Sequence, residues 1–176
     1  MSEINLIRVG VLTVSDRCFQ GTREDFSGPA LLEAVMELGW KVTFKDIVPD
    51  ETDEITKLLK DWVDSGNVDL VLTTGGTGFA PRDVTPEATS LVIERFAPGL
   101  AEAIRAESLK ITPHGMLSRA VAGICKSTLL VNLPGSPNAA LESLSVIASV
   151  IPHAIELLRK NPDAEGGHNY FGKRSK

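Results

Sequence analysis

The strongest constraint on the fold of this chain is a regular alternation of short apolar runs with longer segments of helical periodicity. The first run, residues 7–14, is almost wholly apolar and rich in β-branched side chains. Such a run is typical of a strand buried on both faces of a parallel sheet. Further strands are predicted over residues 41–48, 68–74 and 127–133. Strands that alternate with helices predict an α/β protein with helices on both faces of its sheet.

Helices are predicted between these strands from apolar spacing and from residues that begin or end helices. They cover residues 27–38, 52–63, 85–96 and 98–109, and a long last helix bends at Pro152 and ends near Arg159. Residues 111–123 show no clear pattern. We therefore expect a single three-layer α/β/α domain over residues 1–160, with a mostly parallel, doubly wound sheet, followed by a flexible polar tail over residues 161–176.

Charge and composition exclude several functional classes. The net charge of −5 argues against a nucleic-acid partner, which favours a basic surface. No apolar run reaches the roughly 18 residues needed to span a membrane, and the first residues lack the basic and apolar regions of a signal peptide. Cys18 and Cys125 form neither a disulfide framework nor a metal pair, so we expect a cytoplasmic protein.

The most unusual segment, Gly75-Gly76-Thr77-Gly78, directly follows the third predicted strand. Open α/β sheets bind their ligands at the carboxyl ends of the strands, which is where this segment falls. Its glycines would let backbone N–H groups approach a phosphate closely, although a tight turn alone would also explain them. It is not a Rossmann fingerprint, because Pro81 takes the place of the third glycine, and it lacks the lysine of a P-loop.

Two aspartates, Asp50 and Asp83, lie in loops at the same predicted edge. Each has a plain structural explanation: Asp50 could cap the helix that follows it, and Asp83 could be a loop acid before a helix capped by Thr85. Together they could instead hold Mg²⁺, which takes one or two protein carboxylates plus phosphate oxygens and water. The residues themselves leave both interpretations open.

Two further segments close strands at this edge: Ser15-Asp16 after the first strand, and Asn132-Leu133-Pro134-Gly135-Ser136 after the last. Ser136 is a natural N-cap with a proline behind it. A helix N-terminus offers free N–H groups and a positive dipole end to an anion, but an ordinary capped helix would look the same.

Taken together, these segments resemble the molybdopterin adenylyltransferases, a family that includes bacterial enzymes and the G domain of gephyrin and its plant counterpart. The similarity covers Arg8 to about Arg159. It is carried by LTVSD at 12–16, SGP at 27–29, IVPDE at 47–51, TTGGTGFAPRDVTPEA at 73–88, SLKITP at 108–113, MLSR at 116–119 and NLPGS at 132–136. The run at 73–88 is the most specific of these.

The resemblance implies transfer of AMP from ATP to the phosphate of molybdopterin, with release of pyrophosphate, in molybdenum cofactor biosynthesis. It implies that Asp50 and Asp83 are catalytic and bind Mg²⁺. Contacts to substrate or nucleotide are implied for Ser15, Asp16, Gly75, Gly76, Thr77, Gly78, Ser108, Ser118, Arg119, Asn132, Pro134, Gly135 and Ser136. It also implies a homotrimer and docking to a molybdenum-insertion protein.

Two alternative functions stay open on the sequence. A non-catalytic molybdopterin-binding or scaffold protein would keep the fold and the pocket, and would bind substrates without releasing pyrophosphate. A related nucleotide hydrolase or amidase would turn over another phosphorylated small molecule without any pterin. Substrate screening separates the three.

Overall fold

The computed structural model of the protein describes residues 6–159 and has a six-stranded sheet at its centre. The strands are β1 (Arg8–Val14), β2 (Lys41–Val48), β3 (Leu70–Thr74), β4 (Arg95–Phe96), β5 (Ala122–Cys125) and β6 (Thr128–Leu133). Their order across the sheet is β2-β1-β3-β6-β5-β4. β2, β1, β3 and β6 run parallel, while β5 is antiparallel to β6 and β4 is antiparallel to β5.

The register aligns the carboxyl ends of the four parallel strands. Val14 lies opposite Val48, Thr13 lies opposite Thr74, and Thr74 lies opposite Leu133. The loops that follow these strands therefore begin side by side along one edge of the sheet. That edge is where ligands gather in open α/β folds.

Helices cover both faces of the sheet. They are α1 (Asp16–Phe19), α2 (Ser27–Glu37), α3 (Thr52–Asp64), α4 (Thr85–Ser90), α5 (Pro98–Ile111), α6 (Pro137–Ile147) and α7 (Ile151–Leu158), with a 3-10 turn at Pro113–Leu117. One apolar core joins the sheet to α2, α5, α6 and α7, and a second joins it to α3 and α4. β1 contributes Val9 and Val11 to the first core and Leu12 and Val14 to the second, as its continuous apolar run predicts. The predicted three-layer α/β/α fold with a mostly parallel sheet is confirmed.

Two sequence predictions about single elements need correction. The helix predicted over 85–96 ends at Ser90, because Arg95–Phe96 pairs with β5 as an edge strand. The long last helix is two helices that meet at 65°, with the break at residues 148–150 rather than at Pro152. Pro152 lies in the first turn of α7, where its missing N–H costs nothing. The predicted tail over 161–176 lies outside the described residues.

Within residues 6–159, no single helix is both long and apolar enough to cross a membrane. α6 and α7 reach the required length and composition only when they are taken together. Both helices bury apolar side chains in the core that they share with the sheet.

At the amino ends of the parallel strands, a buried carboxylate is neutralised by two arginines. Asp69 Oδ1 accepts a hydrogen bond from Arg8 Nη2 at 2.9 Å, and Asp69 Oδ2 accepts one from Arg159 Nη2 at 2.6 Å. Asp69 Oδ2 also accepts the backbone N–H of Arg8 at 2.7 Å. Burial alone would raise the pKa of Asp69, but the two arginines outweigh it and lower the pKa from 3.8 to about 2. This charge is therefore compensated within the fold.

Candidate active site

A cleft of about 440 Å³ lies at the carboxyl edge of the sheet, between the loops that follow β1, β2, β3 and β6. Of the residues predicted from the sequence, its lining includes Ser15, Asp16, Asp50, Gly75, Gly76, Asp83, Gly135 and Ser136. Thr77, Gly78, Ser108, Ser118, Arg119, Asn132 and Pro134 are not among the lining residues. The structure therefore brings both predicted aspartates and the glycine turn to one cleft.

The floor of the cleft is a backbone turn that only glycine fits. Gly75 and Gly76 have φ angles of +103° and +62°, which side chains rarely adopt. A Cβ on Gly75 would lie 2.3 Å from the carbonyl oxygen of Val14. A Cβ on Gly76 would lie 2.4 Å from Thr85 Oγ1 and 3.0 Å from Asp50 Oδ1. The turn needs both glycines, and it leaves a bare backbone beside Asp50.

Thr85 fastens this turn instead of capping α4. The N-cap position is Val84, and Thr85 is the first residue of the helix. Thr85 Oγ1 donates to the carbonyl of Gly75 at 2.9 Å, and its backbone N–H donates to the carbonyl of Gly76 at 3.1 Å. The prediction that Thr85 caps the helix is wrong by one residue, because the buried hydroxyl satisfies the glycine turn.

Several backbone N–H groups along the cleft have no acceptor among the described residues. They belong to Gly76, Gly135 and Ser136. Ser136 is the N-cap of α6, as predicted, but its side chain makes no capping hydrogen bond. N–H groups at a glycine turn and at a helix N-terminus are the donors with which proteins bind phosphate oxygens.

Asp50 is tied to Asp16 by a reciprocal pair of hydrogen bonds. The backbone N–H of Asp16 donates to Asp50 Oδ2 at 2.8 Å, and the backbone N–H of Asp50 donates to Asp16 Oδ1 at 3.0 Å. The N-cap of α3 is Glu51, which makes no capping bond with its side chain. The alternative that Asp50 caps the following helix is therefore wrong. Asp50 instead holds the first turn of α1 beside Ser15, whose Oγ accepts the N–H of Cys18 at 3.3 Å.

The charge on Asp50 has no cationic hydrogen-bond partner among the described residues. Burial is the largest effect on the pKa of Asp50 and raises it. The hydrogen bond from the Asp16 N–H and the charge of Arg82 lower the pKa, the negative charges of Asp16 and Asp83 raise it, and the net shift is upward. Asp16 differs, because Arg82 donates to both of its carboxylate oxygens, at 3.0 and 2.9 Å, and lowers its pKa. Arg82 also pairs with Glu51 at 2.7 Å. Asp50 thus differs from Asp16 in having no ion pair of its own among residues 6–159.

Asp50 and Asp83 together fit a cation that also binds phosphate. Asp83 Oδ2 accepts the backbone N–H of Ala80 at 2.9 Å, and both aspartates line the cleft. Within the described chain, no group of three or more His, Cys, Asp or Glu side chains could hold a metal by itself. Mg²⁺ takes only one or two protein carboxylates and completes its shell with phosphate oxygens and water, so this donor pair suits it.

Arg119 and its neighbours lie beside the glycine loop rather than in the cleft. The Arg119 guanidinium binds the carbonyls of Gly78 and Asp83 and the carboxylate of Glu87. The backbone N–H of Arg119 donates to the carbonyl of Thr77 at 2.9 Å. Ser108 lies in the last turn of α5, and Ser118 directly follows the 3-10 turn at Pro113–Leu117. Their roles in binding remain predictions.

Asn132 and Pro134 are used within the fold. Asn132 is only 1% exposed, and its amide donates to Thr73 Oγ1 and Thr89 Oγ1 at 2.9 Å each. The carbonyl of Pro134 accepts from Thr74 Oγ1 at 2.7 Å. These bonds join β6 to β3 and α4, so both residues hold the walls of the cleft in position.

The sequence analysis did not single out Asp25, which lines the cleft and organises its far wall. Asp25 Oδ1 accepts the backbone N–H groups of Ser27 and Gly28, and Oδ2 accepts Thr13 Oγ1 at 2.7 Å. An aspartate two residues before a helix start is a recognisable capping signal. A second cavity of about 460 Å³ adjoins the cleft and shares Thr13, Cys18 and Asp25 with it.

Backbone N–H donors beside carboxylates without a cationic partner are typical of α/β domains that bind phosphorylated small molecules. The fold and the cleft place the chain in that class. A comparison with known families is more specific. The family described as "Probable molybdopterin binding domain" matches residues 10–153, and the chain belongs to this family.

Similar proteins span very different lengths. The chain is 44% identical over 157 residues to the molybdopterin adenylyltransferase of Helicobacter pylori strain 26695, with 88% of this chain and 89% of that protein covered. It is 46% identical over 153 residues to the molybdenum cofactor synthesis protein cinnamon of Drosophila melanogaster, with 86% of this chain but 26% of that protein covered. Against gephyrin of Dictyostelium discoideum, 44% identity covers 88% of this chain and 23% of that protein. The chain thus spans about a quarter of these two long relatives.

Solved structures agree with this assignment. The molybdopterin biosynthesis enzyme MoaB of Thermus thermophilus superposes with a TM-score of 0.84 at 47% identity, covering 89% of this chain and 98% of that one. A structure of MogA gives a TM-score of 0.82 at 38% identity, covering 86% and 99%.

Proposed function

We propose that this protein is a molybdopterin adenylyltransferase, which transfers AMP from ATP to the phosphate of molybdopterin and releases pyrophosphate in molybdenum cofactor biosynthesis. Its membership of the family, and its similarity to bacterial molybdopterin adenylyltransferases over most of their length, support this activity. The proposal depends chiefly on two features of one cleft. Asp50 has no cationic hydrogen-bond partner there, and several backbone N–H groups have no acceptor among residues 6–159.

Asp50 and Asp83 would hold Mg²⁺ in this cleft. The metal would supply charge stabilisation at the α-phosphate of ATP and relieve the repulsion between the two substrate phosphates. The negative charge of Asp83 raises the pKa of Asp50, and a divalent cation bound by both carboxylates would relieve that repulsion.

Backbone groups of the cleft would also stabilise the negative charge of the phosphates. The N–H groups of Gly76, Gly135 and Ser136 would donate to phosphate oxygens and stabilise negative charge as it develops in the transition state. The attacking molybdopterin phosphate has a second pKa of about 6 and is largely dianionic at neutral pH, so it needs no general base. Its oxygen forms the new bond to the α-phosphorus while the bond to pyrophosphate breaks. Catalysis is then mainly positioning.

The proposal extends to the assembly and setting of the protein. We propose a cytoplasmic homotrimer that docks to a molybdenum-insertion protein, in line with the resemblance described for the sequence. Light scattering of the purified chain tests the trimer, and co-purification with an insertion protein tests the docking.

The direct test mixes the purified protein with ATP, MgCl₂ and molybdopterin and measures pyrophosphate. Release that requires all three components supports the adenylyltransferase. Binding of molybdopterin without release would favour a scaffold protein instead, and phosphate or pyrophosphate release without pterin would favour a hydrolase.

A further inference from the structure

Arg119 is bound almost entirely by the loop that carries Asp83. Its Nε donates to the carbonyl of Gly78 at 2.7 Å, its Nη2 donates to the carbonyl of Asp83, and its Nη1 pairs with Glu87. Its own backbone N–H holds the carbonyl of Thr77. Each of the three guanidinium nitrogens therefore has an acceptor in the segment from the glycine turn to α4.

This loop has little apolar burial to hold it in place. Phe79 is 67% exposed, and the three residues after it are also exposed. On the side facing α1, the loop is held by Arg82, whose side chain is 55% exposed. The Arg119 side chain is 34% exposed, so its hydrogen bonds are better shielded from water. Val84, next to Asp83, packs against the second core, but residues 79–82 are exposed. Arg119 is therefore the better shielded of the two arginines that hold this loop on the side of Asp83 away from Val84.

We propose that Arg119 is a positioning residue, which fixes the main chain of Asp83 so that its carboxylate faces Asp50 across the cleft. This role rests on the proposed function. It replaces the substrate contact that the sequence resemblance implies for Arg119. The guanidinium is planar and reaches two carbonyls and a carboxylate at once, which a lysine ammonium does not match.

The test compares Arg119→Ala and Arg119→Lys with Glu87→Gln. The Glu87 variant weakens the one ion pair of Arg119 but leaves both bonds to loop carbonyls, and it serves as the matched control. Thermal melting establishes that each variant is folded. Three quantities are then measured: amide hydrogen exchange of residues 76–84 without ligands, binding of Mn²⁺ in the presence of ATP, and kcat and KM for molybdopterin.

For both Arg119 variants we expect faster exchange in residues 76–84, and Mn²⁺ affinity and kcat lower by about 10–100-fold, the usual cost of losing a partner that orients a metal ligand. KM for molybdopterin should stay near the wild-type value, and Glu87→Gln should behave as wild type. Added guanidinium ion, far below the concentration that unfolds the protein, should partly restore the Ala variant but not the Lys variant.

Wild-type exchange and Mn²⁺ affinity in the Arg119 variants, combined with a raised KM for molybdopterin, would overturn the proposal and restore a substrate contact. If Arg119→Ala does not fold, Arg119→Lys decides between these results. A wild-type protein that releases no pyrophosphate would refute the proposed function instead, while the exchange and Mn²⁺ measurements would still decide the role of Arg119.

Discussion

An aspartate lies at each end of the parallel strands, Asp69 buried and Asp50 half-buried, and the two carboxylates have opposite surroundings. At the amino ends, Asp69 accepts hydrogen bonds from Arg8 and Arg159, which lower its pKa to about 2. At the carboxyl ends, burial and the charges of Asp16 and Asp83 raise the pKa of Asp50. Asp69 therefore has two arginine partners, whereas Asp50 has no cationic hydrogen-bond partner among residues 6–159.

The difference separates a structural acid from a functional one. A buried charge destabilises the fold unless it is paired. The two arginines pair with Asp69, and their hydrogen bonds connect β1 and the end of α7 to the start of β3. The charge of Asp50 has no such pairing, so its desolvation remains unfavourable for folding. Proteins retain such strained charges mainly at functional sites. Under the proposed function, this charge attracts a metal ion with its phosphate ligands.

The largest expected effect is on catalysis at the carboxyl edge. Asp83→Asn and Asp50→Asn should each lower kcat on the order of 10³-fold, because a metal supplies several kcal/mol of charge stabilisation and each ~1.4 kcal/mol is worth tenfold. Binding of molybdopterin should survive, which fluorescence titration can check. Near-normal pyrophosphate release by Asp83→Asn with Mg²⁺ present would remove its assigned role.

At the other edge, Asp69→Asn should lower stability by about 3 kcal/mol, because it removes one member of a buried ionic cluster and strands its partners. Urea unfolding measures the loss. Equal effects of Asp69→Asn and Asp50→Asn on the unfolding free energy would contradict the difference between a structural and a functional aspartate.

Alanine substitutions at two glycines with positive φ angles, one away from the cleft and one in its floor, should destabilise the fold to different extents. Gly66 has φ +66° and open space where the methyl group of an alanine would lie, so Gly66→Ala should cost about 1 kcal/mol. Gly75→Ala adds a clash 2.3 Å from the carbonyl of Val14, and should cost about 3 kcal/mol and abolish turnover. Urea unfolding of both variants tests this, and equal losses would show that the floor of the cleft yields easily.

Acid should reveal the pairing of Asp69. A carboxyl with a folded pKa of about 2 and an ordinary value of 3.8 stabilises the fold above its ordinary pKa, and that stability is lost as pH falls from about 4 toward 2. The contribution is about 2.5 kcal/mol. Unfolding free energies measured down this range should fall less steeply for Asp69→Asn than for wild type. Parallel slopes would contradict the paired state.

The smallest expected effect has the opposite sign. Asp50→Asn removes a half-buried charge that lies near two other acids, while its side-chain oxygen can still accept the N–H of Asp16. The variant should be more stable than wild type by roughly 0.5–1 kcal/mol even though it is inactive, a common trade-off at functional sites. A lower melting temperature would show that Asp50 contributes to folding.

The four parallel strands were predicted well. β1, β3 and β6 are apolar runs buried on both faces, whereas β2 is a partly exposed edge strand. The antiparallel half was missed. β4 has two residues and β5 has four, too short to show a period against the helices around them. Local signals likewise placed the end of α4 too late.

At the site, the glycine turn, Asp50 and Asp83 were predicted from the sequence because they stand out as motifs, whereas Asp25 was not. The cation partners were not predictable, since they depend on contacts between distant parts of the chain: Arg8 and Asp69 are 61 residues apart, and Arg159 and Asp69 are 90 apart. The hold of Arg119 on Gly78 spans 41 residues. Pairing at such distances follows from the fold, not from local spacing.

The central claim is that Asp50 and Asp83 converge on one metal ion that also binds the nucleotide. A crystal structure with ATP and Mn²⁺ tests it most directly, through the anomalous signal of manganese. We expect one manganese peak within coordination distance of both carboxylates and a phosphate oxygen. The N–H groups of Gly76 and Ser136 should donate hydrogen bonds to the phosphates. A metal bound elsewhere, or aspartates that face apart with the nucleotide outside the cleft, would contradict it.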